Sequence, residues 1–395
     1  MTRPRPEVAE VIAHYAAAYE ATYGASPGQH RILRDLGRCR TAALGGHKQQ
    51  CADCGHEVIS YNSCRNRHCP KCQGSARARW LAARAAELLP VPYFHVVFTL
   101  PAPLGPLALQ NPRLLYGMLF RAAAATLRTI ARDPKHLGAD IGFLAVLHTW
   151  GQTLQHHPHL HCVVPGGGLA PDGTRWVACR PHFFLPVRVL SRRFRRTFLT
   201  LLRDAFLRGK LHYHGRLAPL ADPTAWRRWV QGLERVEWVV YAKPPFGGPR
   251  QVLKYLARYT HRVAIANQRL VSVADGHVTF RWKDYAHDHC PRTMKLDAVE
   301  FLRRFLLHRL PRGFHHIRQY GLLGNRHRTT HLARCRDLLG QPPDTGAHDG
   351  SASAADPTPR DVCPQCGTGR LVLVATLAPT DTTATRSHPL PWNTS

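Results

Sequence analysis

The stretch that most constrains this chain is Gly151–Gly168, GQTLQHHPHLHCVVPGGG, with His159-Leu160-His161 at its centre. Side chains two apart on a β-strand leave the same face, so both imidazoles can grip one metal ion. Cys162-Val163-Val164 continues the strand into a core, and Pro165 with three glycines ends it. Pro158 favours an extended entry. Upstream, residues 141–148 (IGFLAVLH) read as a second buried strand ending in a histidine. If the two strands pair, His148 supplies a third ligand; Gln152 and His157 compete for that position. Three protein ligands with open positions make a catalytic site rather than a closed structural one. The chain has 26 His, and an H-x-H pair also occurs on ordinary solvated strands, so the motif draws its weight from these surroundings.

The cysteines form a second signal. Cys51-Ala-Asp-Cys54 and Cys69-Pro-Lys-Cys72 are two C-x-x-C knuckles, and paired knuckles near this spacing read as one tetrahedral zinc site. Cys39, Cys64 and His68 are left over as candidates for a second zinc ion. Arg65, Arg67 and Lys71 rim the knuckles and suit a DNA-contact surface; a solvated face is the plainer alternative. Far downstream, Cys363-Pro-Gln-Cys366 is a further knuckle. It suggests a small C-terminal zinc site, with Cys335 and His331 as its nearest partners in sequence.

Residues 249–266 read as a helix. Leu253, Leu256, Ala257, Thr260, Val263 and Ala264 form its apolar seam, whereas Tyr255 and Tyr259, four apart, share another face. Lys254, Arg258 and Arg262 surround them and suit DNA phosphates. Tyrosines can simply cap a core edge. Beside a metal-polarised phosphate, however, a phenolate is a competent nucleophile.

Charge narrows the partners. Lys and Arg number 54 against 25 Asp and Glu, a net +29, which favours nucleic acid; an anionic membrane surface is the weaker alternative. No apolar run is long enough to span a membrane. The start, MTRPRPEVAE, carries no apolar signal region, so a cytoplasmic, nucleoid-associated protein is expected. The order of elements predicts an α+β fold with a central, mainly antiparallel sheet flanked by helices. Helices are expected over 6–22, 74–89, 112–132, 188–209, 224–233 and 294–310. Strands are expected over 93–100, 141–150, 174–179 and 237–241, with a hairpin over 269–285 and a basic aromatic loop over 313–320. The ranges 1–90, 91–325 and 326–395 are expected as a zinc-binding DNA-contact module, a catalytic domain, and a linker, knuckle and loose tail.

Together the paired C-x-x-C module, HPHLHCVVPGGG and KYLARYTHR resemble the rolling-circle insertion-sequence transposases of the HUH class, the group with a two-tyrosine helix. The resemblance covers roughly residues 30–330. It implies an HUH-type catalytic domain with a sheet core similar to that of rolling-circle replication initiators and relaxases. It also implies Mg²⁺ or Mn²⁺ held by His159, His161 and a third ligand. His148 resembles in its spacing the third histidine of relaxases. Tyr255 or Tyr259 would then attack single-stranded or hairpin DNA at the ends of the protein's own mobile element, forming a 5′-phosphotyrosine bond. A non-catalytic zinc-dependent DNA-binding regulator would leave the histidine strand and the tyrosine face idle. A metal-dependent hydrolase would need ligands that residues 141–168 scarcely offer.

Overall fold

The structure is a computed structural model that describes residues 5–246, 251–252, 263–284, 287, 290–340 and 362–380. In chain order its described strands are β1 (Gly46–Cys51), β2 (Glu57–Tyr61), β3 (Tyr93–Thr99), β4 (Gly142–Trp150), β5 (His156–Pro165), β6 (Gly167–Leu169), β7 (Trp176–Ala178), β8 (Val240–Phe246), β9 (Leu270–Ala274), β10 (His277–Asp284), β11 (Cys290–Asp297), β12 (Ile317–Gly321) and β13 (Leu371–Leu377). The chain divides into two compact units. One gathers Met1–Ala76, Ile265–Arg303 and Asp344–Ser395; the other gathers Arg77–Ala264 and Arg304–Pro343. The units interleave along the sequence, which the consecutive ranges 1–90, 91–325 and 326–395 do not.

The second unit is built on a five-stranded sheet in the order β12-β4-β5-β3-β8, antiparallel at every pairing. Its central strands are apolar on both faces because both faces are covered. One face carries Phe94, Val96, Phe98, Phe143, Leu147, Leu160 and Val164 into the main core. There the helices Pro112–Arg132 and Val187–Leu207 pack over it, and Phe98 meets Phe194 edge-on at 5.0 Å. The opposite face carries Tyr93, Leu144, Val146 and Val163 into a smaller cluster with Leu89, Leu332 and Val252. The alternation of two faces is the expected consequence of strand periodicity.

The glycines after Pro165 do more than end a strand. A Cβ on Gly168 would run into the backbone oxygen of Asp140, and one on Gly167 into Val177 and Trp176. The close backbone crossing that lets β6 pair with β7 therefore depends on them.

Within the first unit, β13-β1-β2 form one antiparallel sheet and β11-β10-β9 another. The helix Val8–Tyr23 buries Val8, Val11, Ile12 and Tyr19.

Three elements differ from expectation. The helix expected over 294–310 runs only over Ala298–Leu307, because residues 290–297 pair with β10 instead. Asp297 caps the helix by accepting from the backbone N–H groups of Val299 and Glu300 at 2.9 and 3.0 Å. Of the loop expected over 313–320, residues 317–320 join Gly321 as the edge strand β12 on β4. The strand expected over 237–241 is β8, Val240–Phe246. It tolerates Pro244 and Pro245 because it too is an edge, where a missing N–H need not break a ladder. Among the described residues, no helix is long and apolar enough to cross a membrane.

Candidate functional site

The antiparallel register places His148 directly opposite His159, and Val146 opposite His161. All three histidines therefore leave the same face of the sheet. Their ligand nitrogens lie within 4.8 Å of one another, and ring centroids are 4.5 Å apart for His148 and His161 and 4.8 Å for His159 and His161. His148 and His161 are buried and His159 is half-buried. One side of the group is thus held in protein while the other is open to a ligand. Of the rivals for the third position, His157 stays outside the group and Gln152 lies in the turn between β4 and β5.

The surroundings fix the rings. His159 Nδ1 lies 2.6 Å from the carbonyl oxygen of His157. A carbonyl only accepts, so Nδ1 carries the proton and Nε2 keeps its lone pair. His161 Nδ1 lies 2.9 Å from His95 Nε2 on β3, and the two rings stack at 5.1 Å. Burial first, then Lys243 and His159, pushes His95 down to about 3, so it is neutral. If His161 ligates through Nε2, its Nδ1–H donates to His95 Nε2. His148 stacks on Trp150 at 4.7 Å, and Trp150 meets His308 edge-on at 5.8 Å. His308 is held in turn by the carbonyl of Leu154 at 3.1 Å and by Thr149 Oγ1 at 3.3 Å.

Sequence reasoning missed His95. Its signal was a single histidine inside the apolar strand YFHVVF, and only the pairing of β3 with β5 brings it to the site. Tyr255, Tyr259, Lys254, Arg258 and Arg262 lie outside the described residues. The nearest described residue before them, Val252, is wholly buried in the cluster on the histidine face of the sheet.

Eight cysteines form two groups, and the grouping corrects the expected one. Cys39, Cys64, Cys69 and Cys72 lie together, and Cys51, Cys54, Cys363 and Cys366 lie together. The knuckles adjacent in sequence are thus separated. The β1–β2 hairpin is the reason: Cys51 and Cys54 sit at its tip, whereas Cys39 precedes its first strand and Cys64 follows its second. A six-residue strand sets those ends roughly 17 Å apart. His68 is not among the four ligands of the first group; its backbone N–H donates to Asn66 Oδ1 at 3.0 Å. Cys335, expected beside Cys363, is instead buried with Tyr93 and Leu332 in the second unit.

In the first group, Cys64 Sγ and Cys72 Sγ are 3.8 Å apart. The crowding acts in opposite directions within the group: hydrogen bonds to Cys64 first, then Cys69 and Cys72, draw the Cys39 thiol down, while Cys39 first pushes Cys64 and Cys69 up. Four thiols crowded this closely favour thiolates shared with a cation, which is the donor set of a structural Zn²⁺. Arg65 and Arg67 are exposed on the loop between Cys64 and Cys69. The Lys71 ammonium is bound to Glu7 at 2.6 Å.

Comparison with known proteins fits both arrangements. Residues 142–330, with the histidine strands, match a family described as a putative transposase. Residues 11–100, which contain the whole first cysteine group, match a transposase zinc-binding domain of the IS91 type. The chain is 56% identical over 382 residues to the putative transposase y4qJ of Sinorhizobium fredii, covering 95% of this chain and 96% of that one. It is 31% identical over 294 residues to the transposase for insertion sequence element IS801 of Pseudomonas savastanoi pv. phaseolicola, covering 73% and 68%. No solved structure matches. A transposase acts on DNA, in keeping with the +29 charge. The chain belongs to the IS91/IS801 family of insertion-sequence transposases and carries that family's N-terminal zinc-binding domain.

Proposed function

We propose that this transposase cleaves and joins single-stranded or hairpin DNA at the ends of its own element through a 5′-phosphotyrosine intermediate. The observation that carries the reading is the convergence of His148, His159 and His161 on one sheet face. Three imidazoles without a carboxylate suit Mn²⁺ better than the harder Mg²⁺. A bound divalent ion would polarise the scissile phosphate and offset charge developing on it.

The chain's own groups would do the rest. Tyr255 or Tyr259 attacks phosphorus; the bond from phosphorus to the 3′-oxygen breaks, and the phenol proton ends on the released 3′-hydroxyl. The second tyrosine is then available for the target strand. Val252, three residues before Tyr255 in sequence, is itself buried on the histidine face. Lys254, Arg258 and Arg262 beside the tyrosines, with Arg65 and Arg67 on the zinc module, supply phosphate contacts that hold the strand without reading its sequence.

The test is a denaturing gel of the full chain with labelled single-stranded DNA from the element ends, with Mn²⁺ or Mg²⁺. A metal-dependent covalent band is expected, reduced in Tyr255→Phe or Tyr259→Phe and absent in the double variant. Shortened DNA without an adduct would indicate hydrolysis instead, and intact DNA with binding retained would indicate a regulator.

His95 is a positioning residue in this scheme, since its Nε2 accepts the hydrogen bond from His161 Nδ1–H and so keeps the lone pair of His161 Nε2 free for the metal. His95→Ala should weaken Mn²⁺ binding about 10- to 100-fold, read directly by electron paramagnetic resonance. His95→Gln, whose amide oxygen can accept the same bond, should restore part of it. Unchanged Mn²⁺ affinity in the alanine variant would reduce His95 to a packing role.

A further inference from the structure

The zinc-binding domain match ends at residue 100, yet two of its cysteines face a knuckle from the other end of the chain. We propose that Cys51, Cys54, Cys363 and Cys366 form a second structural zinc site, a split zinc ribbon whose halves are joined across more than 300 residues of chain.

The sulfur geometry is the first argument. Cys51 Sγ lies 3.7 Å from Cys366 Sγ, and Cys54 Sγ lies 3.7 Å from Cys363 Sγ. Four sulfurs around one zinc at about 2.3 Å stand about 3.8 Å apart along each tetrahedral edge. Disulfides would need about 2.05 Å.

The second argument is that the two knuckles are built alike. Each is followed by a glycine, at φ +70° for Gly55 and +74° for Gly367, a left-handed turn that glycine adopts at no steric cost. Each glycine N–H donates to the first cysteine's carbonyl, Gly55 to Cys51 at 3.1 Å and Gly367 to Cys363 at 3.0 Å. Each then leads into a strand, β2 or β13. On the C-terminal knuckle, the N–H groups of Gln365 and Gly369 also point at sulfur, at 3.4 Å from Cys363 and 3.3 Å from Cys366, as donors do around zinc thiolates.

The third argument is that the backbone is shaped for this contact. β13 pairs with β1 from Gly46–Leu377 down to Cys51–Leu371, and Ala52 N–H donates to Arg370 O at 3.0 Å. A Cβ on Gly369 would overlap Cys51 Sγ and the side chain of Asp53, so only glycine permits the approach. Little apolar matter shares the task, since the local cluster is Cys51, Cys363, Leu371 and Val58. A metal supplies what so small a core lacks.

Metal analysis of the purified full chain tests the proposal. Two zinc ions per chain are expected, one in Cys363→Ser/Cys366→Ser, and one in Cys39→Ser/Cys72→Ser. One zinc in the unaltered chain, or two in the Cys363/Cys366 variant, would overturn it. Because those variants can misfold, alkylation of the unaltered, reduced chain gives an independent reading. Cys54, Cys366 and Cys290 are all exposed, but only Cys290 belongs to neither group. Cys290 should label at once, and Cys54 and Cys366 only after a chelator is added. Labelling of Cys54 and Cys366 at the rate of Cys290 in the zinc-loaded chain would refute the site.

Discussion

His161→Ala is expected to abolish metal-dependent cleavage of element-end DNA while leaving DNA binding nearly intact. His161 is buried, faces His148 and His159, and is oriented by His95. Removing it leaves two ligands, too few to hold a labile divalent ion against water. Electrostatic stabilisation of a phosphoryl transition state by a metal is worth several kcal/mol, so a loss on the order of 10³-fold is predicted. Binding should change by less than about threefold, because phosphate contacts spread over a basic surface dominate affinity. His159→Ala should act in the same direction. Single-turnover cleavage, a native gel and Mn²⁺ binding need to be measured on the same preparations. If adduct forms at near the normal rate without His161, the metal assignment is wrong. If binding and cleavage fall together with the melting temperature, His161 is holding the fold.

The histidine face could be read in the sequence because two local rules suffice for it. A period of two puts His159 and His161 together, and a short turn between two apolar strands puts His148 opposite them. Elements whose form depends on distant partners were not legible. His95 reaches the site through a strand pairing across 66 residues. The polar, basic look of residues 313–320 suits a loop, and becomes a strand only because β4 offers it a free edge. Two prolines hid the end of β8 for the same reason. The start of the helix at Ala298 did have a local signal, Asp297 three residues before Glu300, which apolar content upstream obscured. With the cysteines, proximity in sequence misled. Counting residues between knuckles ignores that a hairpin carries its tip away from its base. The repeated Cys-x-x-Cys-Gly of residues 51–55 and 363–367 was the better guide.

Cys69→Ser is expected to remove one zinc and unfold the segment around residues 39–72, while Mn²⁺ binding at the histidine face survives. Cys39 and Cys69 are almost wholly buried and Cys72 nearly so, whereas β2 is exposed along most of its length and β1 buries only Gly46 and Cys51. The segment therefore has little core beyond its thiolates. A structural zinc site contributes an apparent 10 kcal/mol or more, comparable to the whole stability of an ordinary domain, so the segment cannot stay folded once a ligand is lost. Arg65 and Arg67 sit on the loop that this zinc closes. DNA affinity should fall and its dependence on salt should become shallower as their phosphate contacts are lost. Acid should mimic the substitution in the unaltered chain, because zinc requires deprotonated thiols and is released as pH falls. Zinc content, limited proteolysis and salt-dependent DNA binding together decide the matter. Full zinc content in Cys69→Ser with unchanged protease resistance would remove Cys69 from the site. Loss of Mn²⁺ binding along with the zinc would mean that the histidine face depends on the zinc module for its own folding.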